Sequence, residues 1–141
     1  MAERDVEHLA LADVIAIHRW IMERMGSAPA PFRAGGEALL ESAVMRPQMG
    51  AYYEGADLIR QTALLAVGIA QSQAFLDGNK RTAFGALRAF LGTNGLTFTA
   101  ESLAVAEQLE AVATRSDSLD AATGRFEARL RASTGASEQP S

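Results

Sequence analysis

The residues best suited to chemistry lie in one stretch, Gln73-Ala74-Phe75-Leu76-Asp77-Gly78-Asn79-Lys80-Arg81-Thr82-Ala83, where an acid, a glycine, an amide and two bases separate an apolar run from a helix pattern. If Lys80 opens a helix, Gly78 and Asn79 lie at its N-terminal cap. The first backbone N–H groups of a helix have no intrahelical partner, and the helix dipole adds roughly half a positive charge there. Such a cap binds phosphate. Gly78 can take positive φ and lets a ligand approach the backbone closely, while Asn79 tolerates αL and is a good N-cap residue. Lys80 and Arg81 add two positive charges, and the planar guanidinium of Arg81 can grip two phosphate oxygens at once. A carboxylate beside a phosphate cradle is repulsive unless a cation lies between them, so Asp77 points to Mg²⁺ held by one carboxylate and phosphate oxygens. The competing reading is structural: Asp-Gly-Asn is a common turn, and Lys-Arg after a turn is often a solvated face.

The elements that must position this stretch are helical, because apolar spacing is helical nearly throughout and sustained strand-type alternation is absent. A first helix is expected from about Ala12 to Met25, with Val14, Ile17, Ile21 and either Trp20 or Met25 facing inward and Gly26-Ser27 ending it. His18, beside Arg19, reads as a surface or boundary histidine, since nothing near it in sequence would orient it; His8 carries still less weight. Ser27 to Gly36, with Pro29 and Pro31, reads as a loop or short irregular hairpin. A second helix is expected from about Glu37 to Arg46, ending before Pro47, with Met49 to Ala56 as connection. Asp57 is a plausible N-cap for a third helix reaching about Ser72, apolar nearly all round and therefore buried. The fourth helix, about Lys80 to Thr93, places Phe84, Leu87 and Leu91 on one face, and Asn94-Gly95 closes it in αL. Arg81 and Arg88 share a face, with Gly85 leaving room between them for a triphosphate channel, unless Arg88 is simply a surface charge. Thr97-Phe98-Thr99 reads as a short extended piece, followed by a fifth helix to about Thr114 and a sixth from Ser118 or Leu119 to Ala132. The expectation is one all-α domain over residues 1–132, with about six helices, and a disordered tail over 133–141.

Composition narrows the function classes. The 141 residues fit one domain. Their net charge of −4 argues against a general DNA or anionic-membrane binder, so phosphate affinity must be local. With no cysteine there is no thiol nucleophile or thiolate metal site, a pattern compatible with the cytoplasm. The start, Met-Ala-Glu-Arg-Asp, lacks the apolar core of a signal peptide, and the longest apolar-rich run, Ala63 to Ala70, is too short to span a bilayer.

The central stretch resembles the signature loop of the Fic/Doc family, His-x-Phe-x-Asp-Gly-Asn-x-x-Arg in its nucleotide transferases and His-x-Phe-x-Asp-Ala/Gly-Asn-Lys-Arg in its Doc (death on curing) toxins. Phe75, Asp77, Gly78, Asn79, Lys80 and Arg81 fall on the motif; its histidine is Gln73 here. Leu39-Leu40-Glu41-Ser42-Ala43 and Arg46-Pro47-Gln48 are similar to a run that Doc-like proteins carry upstream, although Arg33-Ala34 and a glycine pair stand where those proteins usually have Arg-Asp. The resemblance implies that this region forms a flap ordering a target peptide. It implies also that a protein hydroxyl attacks an ATP or other nucleotide phosphate held by Mg²⁺, with the motif histidine as general base. Doc proteins transfer the γ-phosphate of ATP to a threonine of elongation factor Tu, and the wider group transfers the nucleotidyl moiety. Carried over, Asp77 would bind the metal, Gly78 and Asn79 would form the anion cradle, and Lys80 and Arg81 would hold the remaining phosphates. The partner implied is a small Phd-like antitoxin. Family members that inhibit themselves carry Ser/Thr-x-x-x-Glu-Gly/Asn on a helix; Thr123 to Glu127 and Thr134 to Glu138 match its first part, but Ala128 and Gln139 fail its last position.

Gln73 decides between the readings. An amide has no titratable acceptor near neutral pH, and general-base catalysis is typically worth roughly 10²–10⁴-fold. Gln73 at the base position could still orient the attacking hydroxyl, as the glutamine of small GTPases orients water. Three functions remain open: a Doc-like toxin with phosphoryl or nucleotidyl transferase activity, an impaired homologue that binds nucleotide or antitoxin without turnover, and a helical interaction domain whose loop is only a corner.

Overall fold

The computed structural model describes residues 5–96 and 118–133, and these build five helices: α1 (Leu11–Arg24), α2 (Gly36–Glu54), α3 (Leu58–Ser72), α4 (Asn79–Thr93) and α5 (Leu119–Ser133). The all-α expectation holds. The expected fifth helix, Thr97-Phe98-Thr99 and the tail from residue 134 lie outside the described residues. No helix among the described residues is long and apolar enough to cross a membrane.

α3 is the centre of the molecule, packed by α2, α4 and α5. Its ten residues from Gln61 to Ala70 are all buried, as a helix apolar on every side requires. Asp57 caps it, accepting a hydrogen bond from the Arg60 N–H at 2.9 Å. The two polar side chains inside it are satisfied: Thr62 Oγ1 donates to the Leu58 carbonyl, and Gln61 donates to the Ala56 carbonyl while accepting from His8 Nε2 at 2.7 Å. α5 docks on α3 through Ala122, Phe126 and Leu130, all buried.

Three features differ from the sequence reading, each because tertiary contacts override a local preference. α2 does not stop at Arg46 but runs through Pro47 to Glu54, absorbing the expected connection. Proline removes one intrahelical hydrogen bond and costs about 3 kcal/mol in a helix interior. The continued helix offsets that by laying Ala43, Val44, Pro47 and Gly50 on one buried face. In α1 the buried face is Val14, His18 and Met22, at i, i+4 and i+8, with Trp20 and Met25 exposed. Ile17 and Ile21 fit against Gly85 of α4, where a Cβ would lie 2.9 Å from Ile17 Cγ2. Gly85 therefore serves helix contact and opens no channel between Arg81 and Arg88. At the end of α4 the αL residue is Gly95; Asn94 instead clamps the N-terminal segment, with Oδ1 accepting from the Glu7 N–H and Nδ2 donating to the Glu7 carbonyl.

A charge network joins the starts of α3 and α5 to the end of α2. Arg60 meets Glu127 at 3.0 Å, Asp120 at 3.4 Å and Glu54 at 3.5 Å, and Arg131 bridges Asp57 at 3.0 Å and also Glu127. The Thr123–Glu127 match is thereby accounted for structurally: Thr123 is buried and donates to the Leu119 carbonyl, and Glu127 is bound by two arginines. The Arg131 hydrogen bond holds the Asp57 carboxyl below its usual pKa. Partial burial pushes Glu127 up, but the hydrogen bonds from Arg131 and Arg60 outweigh it and leave its pKa lowered. Both groups therefore bind protons more readily in the unfolded chain. Their stabilisation is fully present above the unfolded carboxylate range, about pH 4, and is lost as pH falls through the depressed native values. Arg131→Ala is expected to flatten the acid limb of the stability curve measured by urea denaturation between about pH 5 and 2. Phe126→Ala should cost about 3–5 kcal/mol at every pH.

Candidate functional site

The loop between α3 and α4 is built in two layers, one buried and one exposed. Gln73 ends α3 in the left-handed region (φ 49°, ψ 41°), the one non-glycine residue with positive φ among the described residues. Its side-chain amide donates back to the Ala70 carbonyl at 3.3 Å. The chain then turns inward, burying Ala74 and Phe75, and outward, exposing Leu76 and Asp77. Gly78 is the N-cap of α4 with φ +86°, so the helix opens at Asn79, one residue before the sequence reading put it. Gly78 is held to glycine twice over: by its φ, and because a Cβ would stand 2.9 Å from Met22 Sδ and 3.3 Å from His18 Nε2.

The buried layer is organised by Asn79 and His18. Asn79 Oδ1 accepts from the Phe75 N–H at 2.9 Å and its Nδ2 donates to the Phe75 carbonyl at 2.8 Å, so the amide satisfies both main-chain groups of one buried residue. The side chain of Asn79 is thus spent on the framework; its contribution to an anion cradle is confined to its backbone N–H. His18, 2% exposed, stacks on Phe75 with centroids 3.6 Å apart and planes 5° apart. Its Nε2 lies 3.0 Å from the Asp77 carbonyl; because a carbonyl only accepts, the ring carries its proton on Nε2. The expectation of a surface histidine is corrected: the inward phase of Val14, His18 and Met22 on α1 was the signal that locates it. On the other face of Phe75 lies Phe32, 4.6 Å away. The segment 27–36, expected as a loop or short irregular hairpin, is a loop that ends where α2 begins, and Pro31–Arg33 pairs with the α3–α4 loop: Arg33 N–H donates to the Ala74 carbonyl, Leu76 N–H donates to the Pro31 carbonyl, and Phe32 and Phe75 form a single antiparallel bridge. Proline and glycine leave that segment unable to pair with itself, so its hydrogen bonds go to the nearest free backbone. The glycine pair gives α2 its close start, since a Cβ on Gly36 would lie 2.1 Å from the Ala74 oxygen.

The exposed layer carries the charge. Asp77 Oδ1 accepts from the Gly78 N–H at 2.8 Å, which fixes the carboxylate over the mouth of the cap. Lys80 and Arg81 occupy the first turn of α4, Lys80 half-buried and Arg81 exposed, while the first N–H groups of the helix have no intrahelical acceptor. Asp77, Gly78, Lys80 and Arg81 therefore lie together at the N-terminus of α4, while Gln73 closes α3 with its amide turned back to Ala70. Arg88 lies two turns on, its guanidinium 5.9 Å from the Phe84 ring. Among the described residues no three His, Cys, Asp or Glu side chains cluster as a metal cage. A lone carboxylate beside a phosphate-binding cap is the donor set that Mg²⁺ takes when phosphates and water complete its shell, so Asp77 fits that ion only together with a polyphosphate.

The described residues thus form a helical domain whose loop presents one carboxylate, a left-handed glycine and two bases at a helix N-terminus. The Fic/DOC family model matches residues 8–91, more than half of the chain, and the chain belongs to that family. It is 42% identical over 88 residues to a protein described as Toxin Doc from Mycolicibacterium smegmatis, an alignment covering 58% of this chain and 66%, just under two thirds, of that protein.

Asn79→Ala leaves the N–H and C=O of Phe75 buried without partners and should cost about 2–4 kcal/mol, read by urea denaturation. Asp77→Ala, on the exposed layer, should stay within about 0.5 kcal/mol of wild type in the same assay. Equal losses for the two would refute the division into layers.

Proposed function

We propose that the chain is a Doc-like toxin of a toxin–antitoxin system. It transfers a phosphoryl or nucleotidyl group from a nucleoside triphosphate, ATP by preference, to a protein hydroxyl in the cytoplasm. The observation that carries this reading is the separation of roles within the loop: Phe75 and Asn79 are consumed by the framework, while Asp77 and Arg81 are exposed and Lys80 half-buried at the N-terminus of α4. The kinship with Toxin Doc supports the same class, and elongation factor Tu is the target proposed on that kinship.

In this mechanism the Asn79 and Lys80 N–H groups and the positive end of α4 take up the phosphate next to the leaving group, the Gly78 N–H being held by the Asp77 carboxylate. Lys80 and Arg81 bind the charge that develops on the transferred group and its leaving oxygen. Asp77 is the residue that would hold Mg²⁺, which would supply neutralisation of phosphate charge. Pro31–Arg33, already paired to the loop by backbone hydrogen bonds, is the edge against which an extended target segment would be aligned. Gln73 can hydrogen-bond an attacking hydroxyl but cannot take its proton. His18 does not substitute for a base: it is buried, and its Nε2 proton is engaged by the Asp77 carbonyl.

That last observation favours a second reading, a family member that binds nucleotide and antitoxin while turning over slowly or not at all. One experiment separates the two. Purified protein is incubated with Mg²⁺ and ATP labelled at the α- or γ-phosphate in a bacterial lysate. Asp77→Ala and Gln73→His are run alongside. Wild-type transfer abolished by Asp77→Ala supports the enzyme, with the labelled position naming the group transferred. Transfer seen only with Gln73→His, gained by roughly 10²–10⁴-fold, supports the binder. Failure of every variant to bind ATP sinks both.

A further inference from the structure

His18 makes two contacts with the loop, and they ask for different chemistry. The stack on Phe75, with centroids 3.6 Å apart, needs only a flat ring, and an apolar ring suits a residue buried to this depth. An imidazole adds one polar N–H, placed 3.0 Å from the Asp77 carbonyl oxygen, 59 positions away in sequence. That carbonyl belongs to the Asp77–Gly78 peptide, whose own N–H donates to Asp77 Oδ1 at 2.8 Å. A trans peptide is planar, so its C=O and N–H point in opposite directions. With the carbonyl drawn inward to His18, the N–H has to face outward, and there it holds the carboxylate.

Gly78 by itself does not select this orientation. Turning the peptide over would take its φ from +86° to about −90°, a value open to any residue, and glycine populates both signs about as readily. The surroundings select it instead. On the inner side a turned-over N–H would meet the Nε2–H of His18, donor against donor, with both left unpaired. The other tautomer could accept that N–H only by moving the ring proton to Nδ1, which has no hydrogen-bond partner among the described residues. On the outer side Asp77 Oδ1 would lose its donor and face a carbonyl oxygen. The exposed carboxylate is therefore aimed from the buried side of the loop. We propose that His18 is a positioning residue for binding of a Mg²⁺–nucleotide: by holding the Asp77–Gly78 peptide with its carbonyl inward, it fixes the Asp77 carboxylate over the N-terminus of α4. This rests on the reading of Asp77 as the residue that would hold Mg²⁺, and assigns control of it to a buried side chain of α1.

The probe is a non-hydrolysable ATP analogue, titrated into the full chain by calorimetry with Mg²⁺ and with a chelator. The readout is the Mg²⁺ enhancement, the ratio of the Kd without the ion to the Kd with it. Two variants separate the contacts of His18. His18→Phe keeps a ring against Phe75 and removes the donor, whereas His18→Gln gives up the ring and keeps an amide N–H at similar reach. His18→Phe should lower the enhancement roughly 10-fold, as removing the outer partner of a ligating group does, while His18→Gln stays within about threefold of wild type. Added to Asp77→Ala, His18→Phe should lower it no further, since both act through one carboxylate. A role confined to packing would lower the melting temperature and leave the enhancement of the folded protein unchanged. That result overturns the proposal, as does an equal loss in His18→Phe and His18→Gln or an additive loss on top of Asp77→Ala. Should His18→Phe not fold, His18→Met, which also lacks a donor and adapts to irregular gaps, takes its place. A wild type that binds the analogue equally well with and without Mg²⁺ removes the Asp77 reading, and this inference falls with it. An enhancement present in the wild type and kept in every His18 variant leaves that reading standing and overturns this inference alone.

Discussion

Phe75 is the point on which the site depends. Its ring is stacked by His18 of α1 on one face and by Phe32 of the α1–α2 segment on the other, and its main chain is gripped by Asn79 of α4. Three separate stretches of chain thus fix one buried residue, and that residue sets where the loop turns outward. Asp77 and Gly78 follow it by two and three positions, so the anchor sets where they emerge, and the bonds from His18 Nε2 to the Asp77 carbonyl and from the Gly78 N–H to the Asp77 carboxylate hold them there. An aromatic ring loses little rotamer entropy for the area it buries, which makes it an efficient peg for a loop that must otherwise stay open to ligand.

The same device is used twice. Asn79 pairs with both backbone groups of Phe75, and Asn94 pairs with both backbone groups of Glu7, so an amide at each end of α4 substitutes for a neighbouring strand. No sheet is present among the described residues, so non-helical segments such as residues 5–10 and 74–77 satisfy part of their backbone through these amides. Asparagine suits this because one short side chain carries a donor and an acceptor side by side. The consequence for function is that α4 is tied at its start to the loop and at its end to the N-terminal segment. The helix dipole is therefore held in a fixed direction behind the phosphate cap.

Close approach between helices does the remaining work. Gly36 brings α2 onto Ala74, and Gly85 brings α4 onto Ile17 and Ile21 of α1, which also carries His18. Without the second contact His18 would stand away from Phe75. The charge network around Arg60 and Arg131 lies at the opposite end of α3 and secures α5, so the stability of that end and the geometry of the loop are separable.

The residues alone determined the helical class, the buried character of α3, the Asp57 cap and the position of the loop before α4, because each is written in local terms: 3.6-residue periodicity, a capping carboxylate, a glycine before two bases. They also place an amide at position 73. What they did not disclose were the contacts made across the sequence. His18 looked like a surface residue because its stacking partner is 57 positions away, and Pro47 looked like a helix stop because the face it buries is provided by α3. Asn79 looked like part of the anion cradle, when its side chain is committed to Phe75. Burial and hydrogen bonding between distant segments outweigh local preferences of about 1–3 kcal/mol, so those assignments belonged to the tertiary structure alone.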